Sequence, residues 1–424
     1  MTRFTPNLPL GNRTPDANVV AFARTNTLQI RSYTSKMQGM FERLLTARLR
    51  AAATTFPVAS ILGARQVGKT TLARAAFPDY AYVDLEDPRS AARFLDDPRF
   101  ALDQYQGRGL IIDEAQAVPQ LFAALRGAVD AERSKNGRFV LLGSAQPALV
   151  RGIAESLAGR VAVLETDPLA ACECATGEAP QDWRSLWLKG GFPDALRGDF
   201  RLWWDSYLRT LLERDLPQYG VSADPMFMRR LLTMLAHLHG GLLNASALGA
   251  SLGVSYHTIQ RHLDVLESVF LIRRLYPWFR NVGKRLTKSP KIYLRDSGLL
   301  HHLLNIATQE ELHNHPARGA SWEGFVIEDV LRRERVGRMG SSPWFWRTAA
   351  GAEADLVIDR GNERVVIEIK AGHGGNARTV AALRACLPDI DATRAWIVDQ
   401  APGIELVGIN MARAGFEAVT DGTP

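Results

Sequence analysis

The chain has 424 residues, more than one ordinary core accommodates, so two or three domains are expected. Apolar residues make up 46% and charged residues 23%, the balance of a soluble globular protein, and no run of eighteen apolar residues exists to span a membrane. Three cysteines, two of them in Cys172-Glu173-Cys174, build neither a disulfide framework nor a four-ligand zinc site and fit a reducing, cytoplasmic setting; the net charge of +6 only weakly favours a nucleic-acid partner.

Residues 1–39 carry scattered Pro, Asn and Thr without a sustained period. They read as a flexible extension, upstream of a natural start at Met37 or Met40, and lack the apolar stretch of a secretory signal. From Met40, Phe41, Leu44, Leu45 and Leu49 share one helical face. Strands are predicted at 58–62, 81–86, 109–115 and 138–144, with helices at 69–77 and 119–132 between them. This alternation means an α/β unit over 40–170 with a parallel sheet covered on both faces. A helical middle follows over 171–300, with helices at 200–216 and 225–240. Helix plus strands return in a mixed α/β end over 301–424.

The chemistry starts at Gly63-Ala64-Arg65-Gln66-Val67-Gly68-Lys69-Thr70-Thr71. A strand precedes this phosphate-loop pattern and a helix follows it. Glycines let the backbone N–H groups turn inward, and the helix beginning near Lys69 aims its positive end at the same anion. Lys69 would reach the β- and γ-phosphates, and Thr70 would hold Mg²⁺. Asp113 and Glu114 end the strand LIID, where the aspartate can hold Mg²⁺ through water and the glutamate can polarise the attacking water. These residues predict a nucleoside triphosphate site. Ser144, after the strand FVLLGS, either touches the γ-phosphate or caps the helix from Gln146. Arg160 is either an arginine finger across a subunit boundary or an ordinary ion pair.

The run ILGARQVGKTTLA, YVDLED, LIIDEAQAVP, FVLLGSAQ, LAGRV resembles the AAA-type ATPases of bacteria and archaea whose C-terminal half was long catalogued as a domain of unknown function. The motif order matches from about residue 40 to 400. The resemblance implies an AAA+ fold, ATP with Mg²⁺, a sensing role for Ser144, an arginine acting in trans near Arg160, and hence a homo-oligomer. Ser144 stands where many such proteins carry Asn.

Residues 244–275 have the pattern of a helix-turn-helix: Leu248 and Leu252 on one helix, Gly253 at the turn, Ser255 as cap, and Ile259, Leu263 and Leu266 as the buried stripe of the next helix. Tyr256, His257, Gln260, Arg261 and Asp264 then point outward. A β-like segment follows, as a winged helix requires. Between 271 and 300 stand Arg273, Arg274, Arg280, Lys284, Arg285, Lys288, Lys291 and Arg295 against only Asp296. This local excess predicts DNA contact through Tyr256, His257, Gln260, Arg261, Arg273, Arg274, Lys284, Arg285 and Lys288. The alternative is a packing module or lid.

In the C-terminal region Asp355 precedes Glu368-Ile369-Lys370, whose Glu and Lys share a strand face. With Glu323 as a third acid, this is the constellation of PD-(D/E)xK nucleases, in which carboxylates hold Mg²⁺ and the lysine stabilises a hydroxide. A half-exposed strand alternates in the same way. The family resemblance implies a restriction-endonuclease-like end here. His313-Asn314-His315 reads as a loop, and His301-His302 and His237-x-His239 lack partners at metal spacing. Trp203, Trp204, Trp344 and Trp346 read as core or subunit contacts. The combined expectation is an ATPase that couples hydrolysis to action on DNA. The alternative is a nucleotide-gated switch, or a toxin–antitoxin-like component, that acts on protein partners and does not cleave.

Overall fold

A computed structural model describes residues 41–144, 147–175, 180–219, 224–278, 289–338, 340–348, 352–372 and 376–420. The expected extension over 1–39, and Arg280, Lys284, Arg285 and Lys288, lie outside the described residues.

Strands β1 (Val58–Gly63), β2 (Ala81–Asp84), β3 (Leu110–Asp113), β4 (Phe139–Gly143) and β5 (Val161–Thr166) form a parallel sheet in the order β2-β3-β4-β1-β5. The three inner strands are buried throughout, which is why they read as unbroken apolar runs rather than alternating ones. Alternation survives in the layers. Ala59 and Ile61 pack with Leu49 and Leu72 of helices Leu45–Thr55 and Lys69–Ala76, whereas Val58 and Leu62 join Leu125 and Val129 of helix Leu121–Ala131 on the other face. The order places β4 between β3 and β1, so Ser144 leaves the sheet between Asp113 and Gly63.

In the middle region, the helix expected over 200–216 is α-helical only over Phe200–Thr210. It widens into a π turn at Leu211–Asp215 and a 3₁₀ turn at Leu216–Tyr219. Pro217 is the physical reason, since it offers no N–H and crowds the carbonyl four residues back. Helices Ala245–Leu252 and Tyr256–Ser268 are joined through Gly253 (φ 71°), and Ser255 accepts from Thr258 N at 3.1 Å. Strands β6 (Ile272–Leu275) and β7 (Lys291–Leu294) then pair antiparallel.

Beyond the long helix Arg318–Gly337, strands β8 (Ser342–Arg347), β9 (Glu353–Asp359), β10 (Arg364–Ile369), β11 (Arg394–Asp399), β12 (Ile404–Gly408) and β13 (Met411–Gly415) build a mixed sheet ordered β12-β13-β11-β10-β9-β8. The His313-Asn314-His315 segment is not simply a loop. Helix Gln309–Asn314 takes in its first two residues, started by a capping box between Thr308 and Glu311. No helix among the described residues is long and apolar enough to cross a membrane.

One apolar cluster runs from Ala64 and Val67 through Trp187, Trp204 and Trp322 to Val419 and joins the middle region to the C-terminal sheet. Trp203 packs against it; Trp346 is buried in a second cluster behind the sheet, with Trp344 at its edge. Buried ion pairs cross the same boundaries. Asp167, just past β5, meets Arg295 at 2.5 Å and Arg335 at 2.6 Å. Arg332 donates to the carbonyls of Leu169 and Arg295, each at 2.9 Å.

Candidate nucleotide site

The loop between β1 and helix Lys69–Ala76 needs its glycines. At Gly63 an added Cβ would lie 2.5 Å from Thr166 O, and Gly68 sits at φ 95°, which a side chain rarely tolerates. Gln66 (φ 60°) and Glu114 (φ 51°) are non-glycine residues in the left-handed region, both at this end of the sheet. Such conformations cost about 1–3 kcal/mol each and concentrate at functional sites.

Lys69 is buried, and its ammonium donates to Gly63 O at 3.2 Å and Ala64 O at 2.8 Å, folded back over the loop it belongs to. Burial lowers its pKa, while Glu114 and Asp113 pull the other way. Thr70 Oγ1 donates to Asp113 Oδ2 at 2.5 Å, and the Tyr82 hydroxyl donates to the same oxygen at 3.0 Å. Burial raises the pKa of Glu114 against the opposing Lys69 charge, and Gln116 Nε2 donates to its carboxylate. A cavity of about 280 Å³ opens here, lined by Gly63, Ala64, Arg65, Glu114, Ser144 and residues of the middle region. Ser144 hydrogen-bonds the Tyr219 hydroxyl, and Thr71 is exposed.

Pairings that no motif announced complete this wall. Arg65 donates to Asp215 at 2.6 Å and to Glu86 at 3.3 Å, so a loop residue is ion-paired to the π turn 150 positions away. Burial works against the Arg65 charge, but the Asp215 bond and charge raise its pKa. The hydroxyl and carboxylate of Thr70 and Asp113, converging beside a helix N-terminus, fit the few protein oxygens that a phosphate-bound Mg²⁺ requires.

Arg160 is elsewhere. It forms a two-pronged pair with Asp130 at 2.8 and 3.0 Å, and its carbonyl accepts from Val58 N at the start of β1. The length of β1, about 17 Å at 3.3 Å per residue, separates it from its own loop.

The helix-turn-helix surface corrects part of the expectation. Tyr256, His257 and Arg261 are exposed, and Gln260 is half-buried beside the Tyr256 hydroxyl at 3.1 Å. Arg273 and Arg274 are not available to a phosphate. Arg273 is paired with Glu328, and Arg274 with Glu267 (2.7 Å from Nε) and Asp264 (2.8 Å). Lys291 and Arg295 are buried as well. Among the described residues of the patch, Arg273, Lys291 and Arg295 are neutralised by acids from distant segments and Arg274 by Glu267 and Asp264, which the charge sum left out.

The C-terminal acids are also corrected. Glu323, Asp355, Glu368 and Lys370 do converge, but among the described residues no three His, Cys, Asp or Glu side chains are arranged to hold a metal ion. The Lys291 ammonium lies among them, 2.8 Å from Glu323, 2.5 Å from Glu353 and 3.6 Å from Asp355. Lys370 is paired with Glu368, and Asp355 Oδ2 accepts from Ile369 N at 2.8 Å. Burial and then Asp355 raise the pKa values of Glu323 and Glu368. The donor set does not fit a divalent cation. His239 and His301 are buried and hydrogen-bonded to backbone.

Comparison with known proteins matches residues 55–175 to an AAA domain, 180–310 to a domain of unknown function (DUF8612) and 318–408 to a second one (DUF4143). The uncharacterized proteins Rv2008c of Mycobacterium tuberculosis and Mb2031c of Mycobacterium bovis are each 41% identical over 360 residues, covering 83% of this chain and 78% of the relative. Among solved structures, the Walker-type ATPase PABY2304 of Pyrococcus abyssi aligns at 15% identity with a TM-score of 0.45, over 64% of this chain and 99% of that one.

Proposed function

The chain, an AAA-type protein, belongs to the family of these two mycobacterial relatives, and from that premise we propose that it is a Mg²⁺-dependent ATP hydrolase that acts on DNA as a homo-oligomer. The observation that carries the hydrolase is the convergence of Lys69, Thr70, Asp113 and Glu114 at one end of the parallel sheet. Thr70 and Asp113 would hold Mg²⁺, which when bound neutralises charge on phosphate oxygens. Lys69 exchanges two neutral carbonyl acceptors for anionic phosphate oxygens, a stronger partner. Glu114, oriented by Gln116, takes the proton of the attacking water, and its raised pKa suits that role. Arg65 and Ser144 carry the state of the γ-phosphate to Asp215 and Tyr219 in the middle region. Arg160, remote from its own loop, would serve a neighbouring copy.

Lys69→Ala is expected to abolish ATP binding, and Glu114→Gln to bind ATP without turning it over. Retained turnover in both variants overturns the hydrolase reading.

For DNA, the support is the exposed Tyr256, His257 and Arg261 on the second helix of a helix-turn-helix followed by a two-stranded hairpin, the order of a winged helix. Binding is measured by fluorescence anisotropy on single-stranded, duplex and branched DNA, with and without ATP, at two salt concentrations. Arg261→Ala should lower the salt slope by about 1. A second reading, a nucleotide-gated switch on a protein partner, is favoured by the pairing of Arg273 and Arg274. Absence of binding to every DNA selects it.

A further inference from the structure

We propose that the carboxylate cluster of the C-terminal sheet is a site for a primary ammonium group, filled by Lys291 of the chain itself, so that it fastens the β6–β7 hairpin and neither binds a divalent cation nor cleaves a phosphodiester. Lys291 begins β7, whereas the acids facing it belong to other elements: Glu323 to the helix Arg318–Gly337, and Glu353 and Asp355 to β9. An ammonium has three N–H donors, and three carboxylates surround this one at 2.5–3.6 Å. Those are ion-pair distances. A hard divalent ion would demand six or more oxygens at about 2.0–2.6 Å.

Two of the three facing acids have their second oxygen engaged as well. Asp355 Oδ2 accepts from Ile369 N, and Glu353 Oε2 pairs with Arg347 at 3.4 Å. Tyr293 Oη donates at 2.5 Å to the same Glu323 oxygen that holds Lys291, while Glu368 Oε2, beside Lys370, is buried without a hydrogen-bond partner. The Phe345 ring lies 5.7 Å from Lys291 Nζ and offers its π face to an alkylammonium. Backbone bonds reinforce the join on the same side, with Trp278 N donating to Phe345 O at 2.6 Å and Phe345 N to Tyr276 O at 3.0 Å. The hairpin that follows the helix-turn-helix is thereby held to the C-terminal sheet by a buried charge and by strand-like pairing.

The experiment uses the full chain. Brief acetylation of the native protein, read by mass spectrometry, should modify Lys291 at least about tenfold more slowly than the exposed Lys135, with protection lost on denaturation. In parallel, Mn²⁺ is titrated by electron paramagnetic resonance into Asp113→Asn, which removes the loop's own metal contact. No Mn²⁺ should bind that the added change Asp355→Asn abolishes. Acetylation of Lys291 at the rate of Lys135 overturns the proposal, as does one Mn²⁺ per chain lost with Asp355.

Discussion

Replacing Asp167 by Asn tests whether the ATPase sheet is bolted to the rest of the chain by charge. Burial alone would raise the Asp167 carboxyl, but Arg335, Arg295 and Arg332 draw it from its ordinary 3.8 down to about 2. At about 1.4 kcal/mol per pH unit, that difference is worth roughly 2.5 kcal/mol near neutrality. Breaking a buried pair, by comparison, costs about 3–5 kcal/mol. Asn keeps the shape and one acceptor, so a loss of about 3 kcal/mol is expected. Burial and the neighbouring Arg273 push Arg295 the opposite way, below its usual value, yet a guanidinium stays charged near neutrality, so the carboxylate carries the pH dependence. A group whose pKa is depressed by folding contributes fully above 3.8 and loses that contribution as the pH falls through about 2. Urea unfolding, followed by tryptophan fluorescence, should therefore show a wild-type advantage that is flat from pH 8 to 5 and shrinks below about pH 4. A loss under about 1 kcal/mol at pH 7, or an undiminished difference at pH 3, would refute the reasoning.

Gly63→Ala places a methyl 2.5 Å from Thr166 O; overpacking of about 1–3 kcal/mol should displace the loop and weaken ATP binding at least about tenfold, measured by calorimetry. A double-mutant cycle of Arg65→Ala and Asp215→Ala should give a coupling of about 1 kcal/mol, below the fully buried range because Arg65 is partly exposed. That coupling should change when ATP is added, and an identical value in both states removes Arg65 as a reporter of nucleotide. Wild-type turnover should rise with protein concentration, and Arg160→Ala should flatten that rise without altering ATP affinity; concentration-independent turnover in the wild type argues against an arginine acting in trans.

The phosphate loop was legible because it is local. Glycine spacing, the flanking strand and helix, and Asp113 at the end of a buried run all lie within short windows of sequence. The helix from Thr308 was equally legible from its Thr-x-x-Glu box, and the loosening of the turns ahead of Pro217 from the proline. What could not be read was pairing at a distance. Arg273 finds Glu328 fifty-five residues on, Lys291 finds Glu323 thirty-two residues on, and Arg65 finds Asp215 across 150. A local charge count shows a basic stripe at 271–300, and only the tertiary fold reveals that Arg273, Lys291 and Arg295 within it meet acids from elsewhere. Likewise Glu-x-Lys beside an acid predicted a metal site, because nothing in its own strands announces the lysine that intrudes from β7.

Ala64 and Val67 are buried in the cluster that extends to Trp187 and Val419, so the anion cradle has its keel in another part of the molecule. Excising residues 40–170 would leave that keel without ballast, with its apolar underside wetted and its loop free to collapse. The loop and the far sheet are therefore sides of one apolar casting, and a shift of Ala64 or Val67 would have to be absorbed by that shared core.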